Sequence, residues 1–234
     1  MNPASVAQVL SNTYSGDQQA RVNAEEQLKS IEKTPNYLSC LLEIVSASGQ
    51  LEQPVRLSAS LRLKNILRIF WMEKVVEGKP RCIVENDRNV IKGGLVSVIV
   101  AEPSEKIKKI LLDSLFVIVR GRDFPGSWPG LVPEIVQNIE TDDEKRIYAG
   151  VLMLKVVFGK YRFMREDRRG DVNELMNLTY PRLLQIAAIC FQNPSSSTHT
   201  IIHIICKIFC FGVHMSIPPL IKSAQALSPW IEFL

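Results

Sequence analysis

The sequence predicts an all-α protein built as a HEAT-type α-solenoid, a right-handed superhelix of antiparallel helix pairs. Three observations carry that expectation. Apolar residues recur at helical spacing through nearly the whole chain, and proline with small polar residues punctuates the starts of the apolar runs. The second helices of successive pairs begin near residues 18, 54, 104, 143 and 198, an average period of about 45 that fits HEAT or armadillo repeats. Each pair buries one face on the next, so about five to six pairs form one stack over residues 1–234. More than about two-thirds of the residues are expected to be helical, with no sheet.

The first helix is expected over Ser5 to Tyr14 and the second over Gln18 to Glu32, with Asp17 as N-cap. Ala20, Ala24, Leu28 and Ile31 form the buried stripe of the second. Arg21, Glu25 and Lys29 form an i,i+4 ladder of alternating charge on its other faces. Thr34-Pro35 starts a third helix, as cap and N1 proline, that runs to Ala47 and stops at Gly49. Pro54 opens the fourth, Val55 to Trp71, whose main stripe is Ala59, Leu63, Ile66, Leu67 and Phe70. Leu57 and Leu61 lie elsewhere around it, so it packs between neighbours.

Residues 86–101 and 104–120 form a pair, as do 130–140 and 143–159. Thr141 with Glu144 reads as the capping box of the last of these, and Asp171 with Glu174 as another, ahead of a long helix to Phe191. After Asn193-Pro194-Ser195-Ser196-Ser197 a helix runs to Val213, and Pro218-Pro219 precedes a final one. Leu95 to Val100 is rich in valine but lacks the turn-separated alternation of strands. No linker divides the chain. It stops inside an apolar helix at Trp230-Ile231-Glu232-Phe233-Leu234, where a solenoid ordinarily carries a polar cap. The expectation is a piece of a longer chain, with an adhesive end that self-associates or is covered by a partner.

Composition narrows the function classes. With 46% hydrophobic and 22% charged residues the chain can bury a substantial core and is not of the disordered class. A net charge of +4 permits an acidic partner without demanding nucleic acid. Cys40, Cys82, Cys190, Cys206 and Cys210 form no CxxC pair and read as reduced thiols. The amino terminus lacks the pattern of a signal peptide. Ile201 to Met215, the most apolar stretch, is interrupted by His203, Lys207 and His214. It is too short and too polar to span a bilayer.

Several groups admit two readings. Arg56, Arg62, Lys64, Asn65 and Arg68 lie along the fourth helix with no acid until Glu73. They form either the solvated face of a packed helix or a surface suited to an acidic partner. Trp128, between Pro125 and Pro129, reads as a structural wedge between repeats, with a partner hot spot as the lesser alternative. Lys160, Arg162, Arg165, Arg168 and Arg169 surround Tyr161 and Phe163, a pattern used to bind single strands. Glu166, Asp167 and Asp171 dilute the charge and argue against nucleic acid. His199, His203, Cys206, Cys210 and His214 fall on one helical stripe. One straight helix cannot place four ligands around a tetrahedron, so buried packing is favoured over a metal. No catalytic constellation appears, Gly93-Gly94 lacks phosphate-loop spacing, and neither metal nor cofactor is implied. The expectation is a binding protein rather than an enzyme.

Particular residues go beyond the repeat class. Ala20-Arg21-Val22-Asn23-Ala24-Glu25-Glu26-Gln27-Leu28 is followed by Asn36-Tyr37-Leu38-Ser39-Cys40-Leu41-Leu42-Glu43-Ile44. Then comes Gln53-Pro54-Val55-Arg56-Leu57-Ser58-Ala59-Ser60-Leu61-Arg62-Leu63-Lys64-Asn65-Ile66. This order resembles the amino-terminal domain of importin-β-family receptors, whose small-residue helix ending in Leu-Lys-Asn helps meet the small GTPase Ran. Arg122-Asp123-Phe124-Pro125-Gly126-Ser127-Trp128-Pro129-Gly130-Leu131 resembles the family's Asp-x-Pro-x-x-Trp-Pro-x-Leu segment. The stretch Lys160 to Leu184 and the ending Leu227-Ser228-Pro229-Trp230-Ile231-Glu232 are most similar to the importin seven/eight subgroup, and next to the export receptor for importin α.

The resemblance implies a nuclear transport receptor that shuttles between cytoplasm and nucleus through the nuclear pore. Its partners would be Ran in its GTP form, protein cargo and phenylalanine-glycine nucleoporins. The Ran-binding region would fall at roughly 20–101, with Leu61, Lys64, Asn65, Arg68 and Arg21 as its contacts. Asp123, Pro125, Trp128 and Pro129 would form a structural loop. Whole receptors of the family are several times longer, and their acidic loop and most cargo surfaces lie beyond residue 234. A generic HEAT scaffold and an export receptor of the same family remain the alternatives.

Overall fold

The computed structural model describes every residue except 33, 73, 77, 78, 122, 164–169, 215, 216 and 234, and describes 74–76, 79–81 and 233 by backbone alone. More than two-thirds of the chain is helical. The helices are α1 (Pro3–Asn12), α2 (Gln18–Ile31), α3 (Tyr37–Ser46), α4 (Gln53–Phe70), α5 (Glu85–Ala101), α6 (Glu105–Arg120), α7 (Leu131–Ile139), α8 (Glu144–Tyr161), α9 (Gly170–Gln192), α10 (Ser196–Val213) and α11 (Ala224–Phe233). A short antiparallel hairpin, β1 (Lys74–Val76) with β2 (Lys79–Arg81), joins α4 to α5. The sequence reading expected no sheet. The hairpin is three residues per strand and forms no core layer.

The chain forms two compact units, Met1–Trp128 and Pro129–Leu234. In the first, the helices pair as α1 with α2, α3 with α4 and α5 with α6. The first members of these pairs stack in a row, α1 on α3 and α3 on α5, and α4 stacks on α6. In the second unit α7 pairs with α8 and α9 with α10. There α8 stacks on α10, and α7 and α11 both lie against α9. This is the all-α HEAT arrangement expected from the spacing of the second helices.

Local chemistry sets most helix starts. Asn2 accepts the Ala4 N–H and Pro3 occupies the first turn of α1. Asp17 accepts the Gln19 N–H at the start of α2, as expected. Ser195 and Thr198 form a reciprocal capping box on α10. Three expected caps differ. Thr34 does not open α3, because its hydroxyl donates to Ile31 O and closes α2 instead. The chain then turns at Asn36, φ 65°, and α3 starts at Tyr37. The anionic group at that helix start is Asp87 of α5, which is buried and accepts both the Asn36 N–H at 3.1 Å and the Ser39 hydroxyl at 2.7 Å. Thr141 likewise is not the cap of α8. Asp143 takes that role through the Lys145 and Arg146 N–H groups, while the Thr141 hydroxyl donates to Asn138 O. Asp171 lies inside the first turn of α9 rather than ahead of it.

Each unit has its own apolar core. Leu10, Leu28, Leu41, Leu63, Leu67 and Ile91 are fully buried in the first, each stabilising it by roughly 1.5–3 kcal/mol. The second is centred on aromatic rings. Phe209 stacks on Trp230 with centroids 4.6 Å apart, Tyr180 lies tilted against Trp230 at 4.7 Å, and Phe158 lies 5.9 Å from Tyr180. Trp230 is therefore a core residue at 1% exposure, which corrects the expectation of a sticky tryptophan. Ile231 beside it is exposed, while the Phe233 side chain and Leu234 lie outside the described residues. Among the described residues α10 alone is long and apolar enough to cross a bilayer by length and composition. Its Ile201, Ile204, Ile205, Ile208 and Phe209 are buried in the second unit, where α10 packs on α8 and α9.

Candidate functional site

One face of the first unit that packing leaves open runs along the second helices. On α4, Ala59, Leu63, Ile66, Leu67 and Phe70 turn inward, and the opposite arc carries Leu61, Asn65, Arg68 and Ile69, all exposed. Spacings of four, three and one residue put these on one side of a 3.6-residue helix. Leu61 is 39% exposed and Ile69 41%. Met72, just past the helix end, is 40% exposed, so the stripe is a mixed apolar and cationic surface rather than a solvated charged one. Lys64 lies at the edge of the stripe and is half-buried.

Neighbouring helices extend the face. α6 stacks on α4 and exposes Lys109, Asp113, Phe116 and Arg120 at intervals of four, three and four. The Arg120 guanidinium sits 5.0 Å from the Phe116 ring centroid. α2 is tied to α4 by the Arg62–Glu25 pair at 2.6 Å. With Glu25 and Glu26 exposed, the α2 edge is acidic and the α4 and α6 strip is mainly basic. Phe116, Arg120, Ile69 and Met72 are absent from the sequence-based contacts. The i,i+4 pair Phe116/Arg120 and the i,i+4 steps from Leu61 through Asn65 to Ile69 are the signals that could have found three of them, and neither reaches Met72.

Two predicted cations are committed elsewhere. Arg56 is neither solvated nor partner-facing. At 4% exposure it donates to Val45 O at 2.9 Å and pairs with the buried Glu102 of the α5–α6 turn. Arg21 is half-buried and donates to Ser15 O at 2.7 Å and Gly16 O at 3.1 Å, which turns it toward its own α1–α2 connection and away from the α4 stripe. The structure thus brings Leu61, Lys64, Asn65 and Arg68 together and leaves Arg21 apart.

The loop Asp123–Trp128 is held from α5. The Asp123 carboxylate receives Lys92 at 3.1 Å and Arg88 at 3.4 Å, and Lys92 also donates to Ser127 O. Arg88 lies 5.0 Å over the Trp71 ring and donates to the Ile83 and Trp71 carbonyls. Phe124 and Trp128 are buried, and Pro125 and Pro129 are exposed. Arg122 lies outside the described residues. Gly121 fits close to Trp71, where an added Cβ would stand 3.1 Å from Cδ1.

The remaining candidates resolve differently from their sequence readings. His199, His203, Cys210 and His214 are exposed on α10 and Cys206 is half-buried, so the stripe is not the buried packing expected. No group of three or more metal-type ligands converges among the described residues. Lys160 is half-buried, and burial lowers its pKa with Asp171 opposing the shift. Arg162 lies between the rings of Phe163 and Phe211 at 4.9 and 5.0 Å, so part of the basic and aromatic run is used within the fold. Arg165, Arg168 and Arg169 lie outside the described residues.

Residues 24–101, which contain the α4 stripe, match the family model of the importin-beta N-terminal domain. The chain is 30% identical over 238 residues to importin-8 of Danio rerio, a match covering all of this chain and 22% of that protein. It spans about a fifth of the length of the curated relatives it matches. Among solved structures, the exportin Cse1 in its cargo-free, cytoplasmic state superposes with a TM-score of 0.83 at 16% identity, covering 99% of this chain and 25% of that one. Kap95p, whose binding induces the switch loops of RanGDP to adopt the GTP-bound conformation, superposes with a TM-score of 0.68 at 17% identity. That likeness covers all of this chain and 26% of Kap95p. Both structural likenesses are of fold.

Proposed function

The chain belongs to the importin-β family through its amino-terminal domain at residues 24–101, and on that premise we propose that its α4 stripe binds Ran in the GTP form. The observation that carries this reading is the stripe itself: Leu61, Asn65 and Arg68 share one exposed arc with Lys64 at its edge, inside the matched domain. A contact surface of this kind combines apolar anchors with a few cations that orient an acidic partner. The α6 residues Phe116 and Arg120 extend it. The reading also draws on Kap95p, a protein of similar fold that acts on the switch loops of Ran.

In a complete receptor such binding works by linkage. The GTP form of Ran shifts the affinity for cargo, and cargo shifts the affinity for Ran by the same factor. Import is the direction we propose, because importin-8 matches over the whole chain. The protein would then move between cytoplasm and nucleus. For phenylalanine-glycine nucleoporins we propose hydrophobic grooves between neighbouring outer helices as the docking sites.

Replacing Lys64 and Asn65 together by alanine tests the Ran surface. Neither is buried, so helical circular dichroism should be unchanged. If the pair are hot spots, binding to the GTP form of Ran weakens by roughly 1–3 kcal/mol, or about five- to more than a hundredfold. A folded double mutant with unchanged affinity would return the chain to the generic HEAT-scaffold reading.

A further inference from the structure

We propose that Thr141, in the turn between α7 and α8, is a phosphorylation site for an acidophilic serine/threonine kinase. The turn reads Glu140-Thr141-Asp142-Asp143-Glu144. Thr141 is the one serine or threonine of the sequence with acids at all three following positions, and the one with an acid at the third. An acidic run after the acceptor is what a kinase with a basic peptide groove recognises, by charge complementarity. Glu140, Asp142 and Asp143 are exposed and outside helices, and Thr141 is half-exposed. The helix start is set by Asp143, so the Thr141 side chain is not consumed as a cap.

The fold also supplies cations for the product. Arg182 of α9 donates to Thr141 O at 3.0 Å and to Ile139 O at 2.8 Å, and lies 3.8 Å from the Glu140 carboxylate. Arg146 of α8 donates to Asn138 Oδ1 at 3.1 Å, and the Thr141 hydroxyl donates to Asn138 O. Two guanidinium groups thus already hold this turn, Arg182 through its carbonyls and Arg146 through Asn138, all within the second unit, and they are the donors we assign to a phosphate on Thr141. In the transfer, Thr141 Oγ1 bonds to the γ-phosphorus of ATP and the bond from that phosphorus to the β,γ-bridging oxygen breaks. ADP leaves, and the hydroxyl proton passes to the base of the kinase. The new group adds about −1.5 to −2 charge and three strong acceptors, so the threonine gives up its donation to Asn138 O and takes up donors from the arginines.

The test uses the whole folded chain with casein kinase 2, an acidophilic kinase, and magnesium ATP. Mass spectrometry should find one phosphate per chain, placed on Thr141 by fragmentation. Thr141→Ser should retain it, Thr141→Ala should lose it, and Asp142→Asn with Glu144→Gln should slow it at least about tenfold. Titration of the phosphorus resonance reports the arginine contact, because Arg182→Ala should raise the second ionisation of the phosphate. Phosphate on another residue, an unmodified chain, or a rate indifferent to the acidic substitutions would overturn the site. An unmoved ionisation in Arg182→Ala would overturn the part assigned to that arginine.

Discussion

Glu102→Ala is expected to be strongly destabilising in the first unit. Glu102 and Arg56 are 1% and 5% exposed at their side chains, so neither charge is repaid by water. Glu102 also accepts the Ser104 N–H at 2.8 Å, and Arg56 has Val45 O as its other acceptor. Removing the carboxylate leaves a buried guanidinium on one carbonyl and an N–H at the start of α6 without its acceptor. Breaking a buried pair in this way costs about 3–5 kcal/mol. The cavity beside the pair, lined by Ser97, Val98 and Ala101, admits water to the stranded charge, so the lower end, about 3 kcal/mol, is expected. Arg56→Met with Glu102→Leu removes both charges and should recover most of that loss. Urea unfolding followed by tryptophan fluorescence measures it, with Trp71 and Trp128 reporting from the first unit. A single-mutant cost below about 1 kcal/mol, the range of an exposed pair, would refute the burial argument and return Arg56 to the list of surface cations.

Further expectations concern the second unit and the thiols. Gly212→Ala should destabilise by about 1–3 kcal/mol in the same assay, because the added Cβ overlaps the Tyr180 hydroxyl and stands 3.0 Å from Met176 Cε. Burial raises the Glu134 carboxyl pKa. The native state then holds that proton more tightly than the unfolded chain, so this group's contribution to stability falls as pH rises from the ordinary carboxylate value of about 4.3 through the raised one. Glu134→Gln should abolish that part of the pH dependence and stabilise the protein at neutral pH. With a thiol-specific reagent, the exposed Cys82 and Cys210 should react first. Cys40 and Cys190 are buried, and burial raises both thiol pKa values, so they should be labelled only as the protein unfolds.

Much of the helical framework was readable because apolar spacing and caps act locally. Asp17 and the Ser195 region mark helix starts within a few residues of sequence, and the inward stripe of α4 follows from its period alone. What escaped depends on partners far along the chain. The start of α3 is tied to Asp87, about fifty positions later, so the local Thr34-Pro35 signal pointed two residues too early. Arg56 looked free because its acid, Glu102, belongs to another helix connection. The same reason hid Arg88 and Lys92, which the loop acid Asp123 gathers over Trp71. Trp230 looked adhesive because no local feature announces that Tyr180 and Phe209 cover it. The α10 stripe shows the converse case: histidine and cysteine at helical spacing record a face, and only packing decides which side of the helix meets water.

For the candidate site, sequence supplied Leu61, Lys64, Asn65 and Arg68 on one helix, and the exposure of Leu61, Asn65 and Arg68 with Lys64 half-buried at their edge is a matter of which face α3 and α6 cover. Phe116 and Arg120 join them because α6 stacks on α4, a relation between residues some fifty positions apart. Calorimetric titration of this chain with Ran loaded with GTP and, separately, with GDP tests the central claim most directly. The account predicts preferential binding of the GTP form, weakened by added salt because Lys64 and Arg68 face an acidic partner across water-accessible surface. Equal affinity for the two nucleotide forms would contradict it.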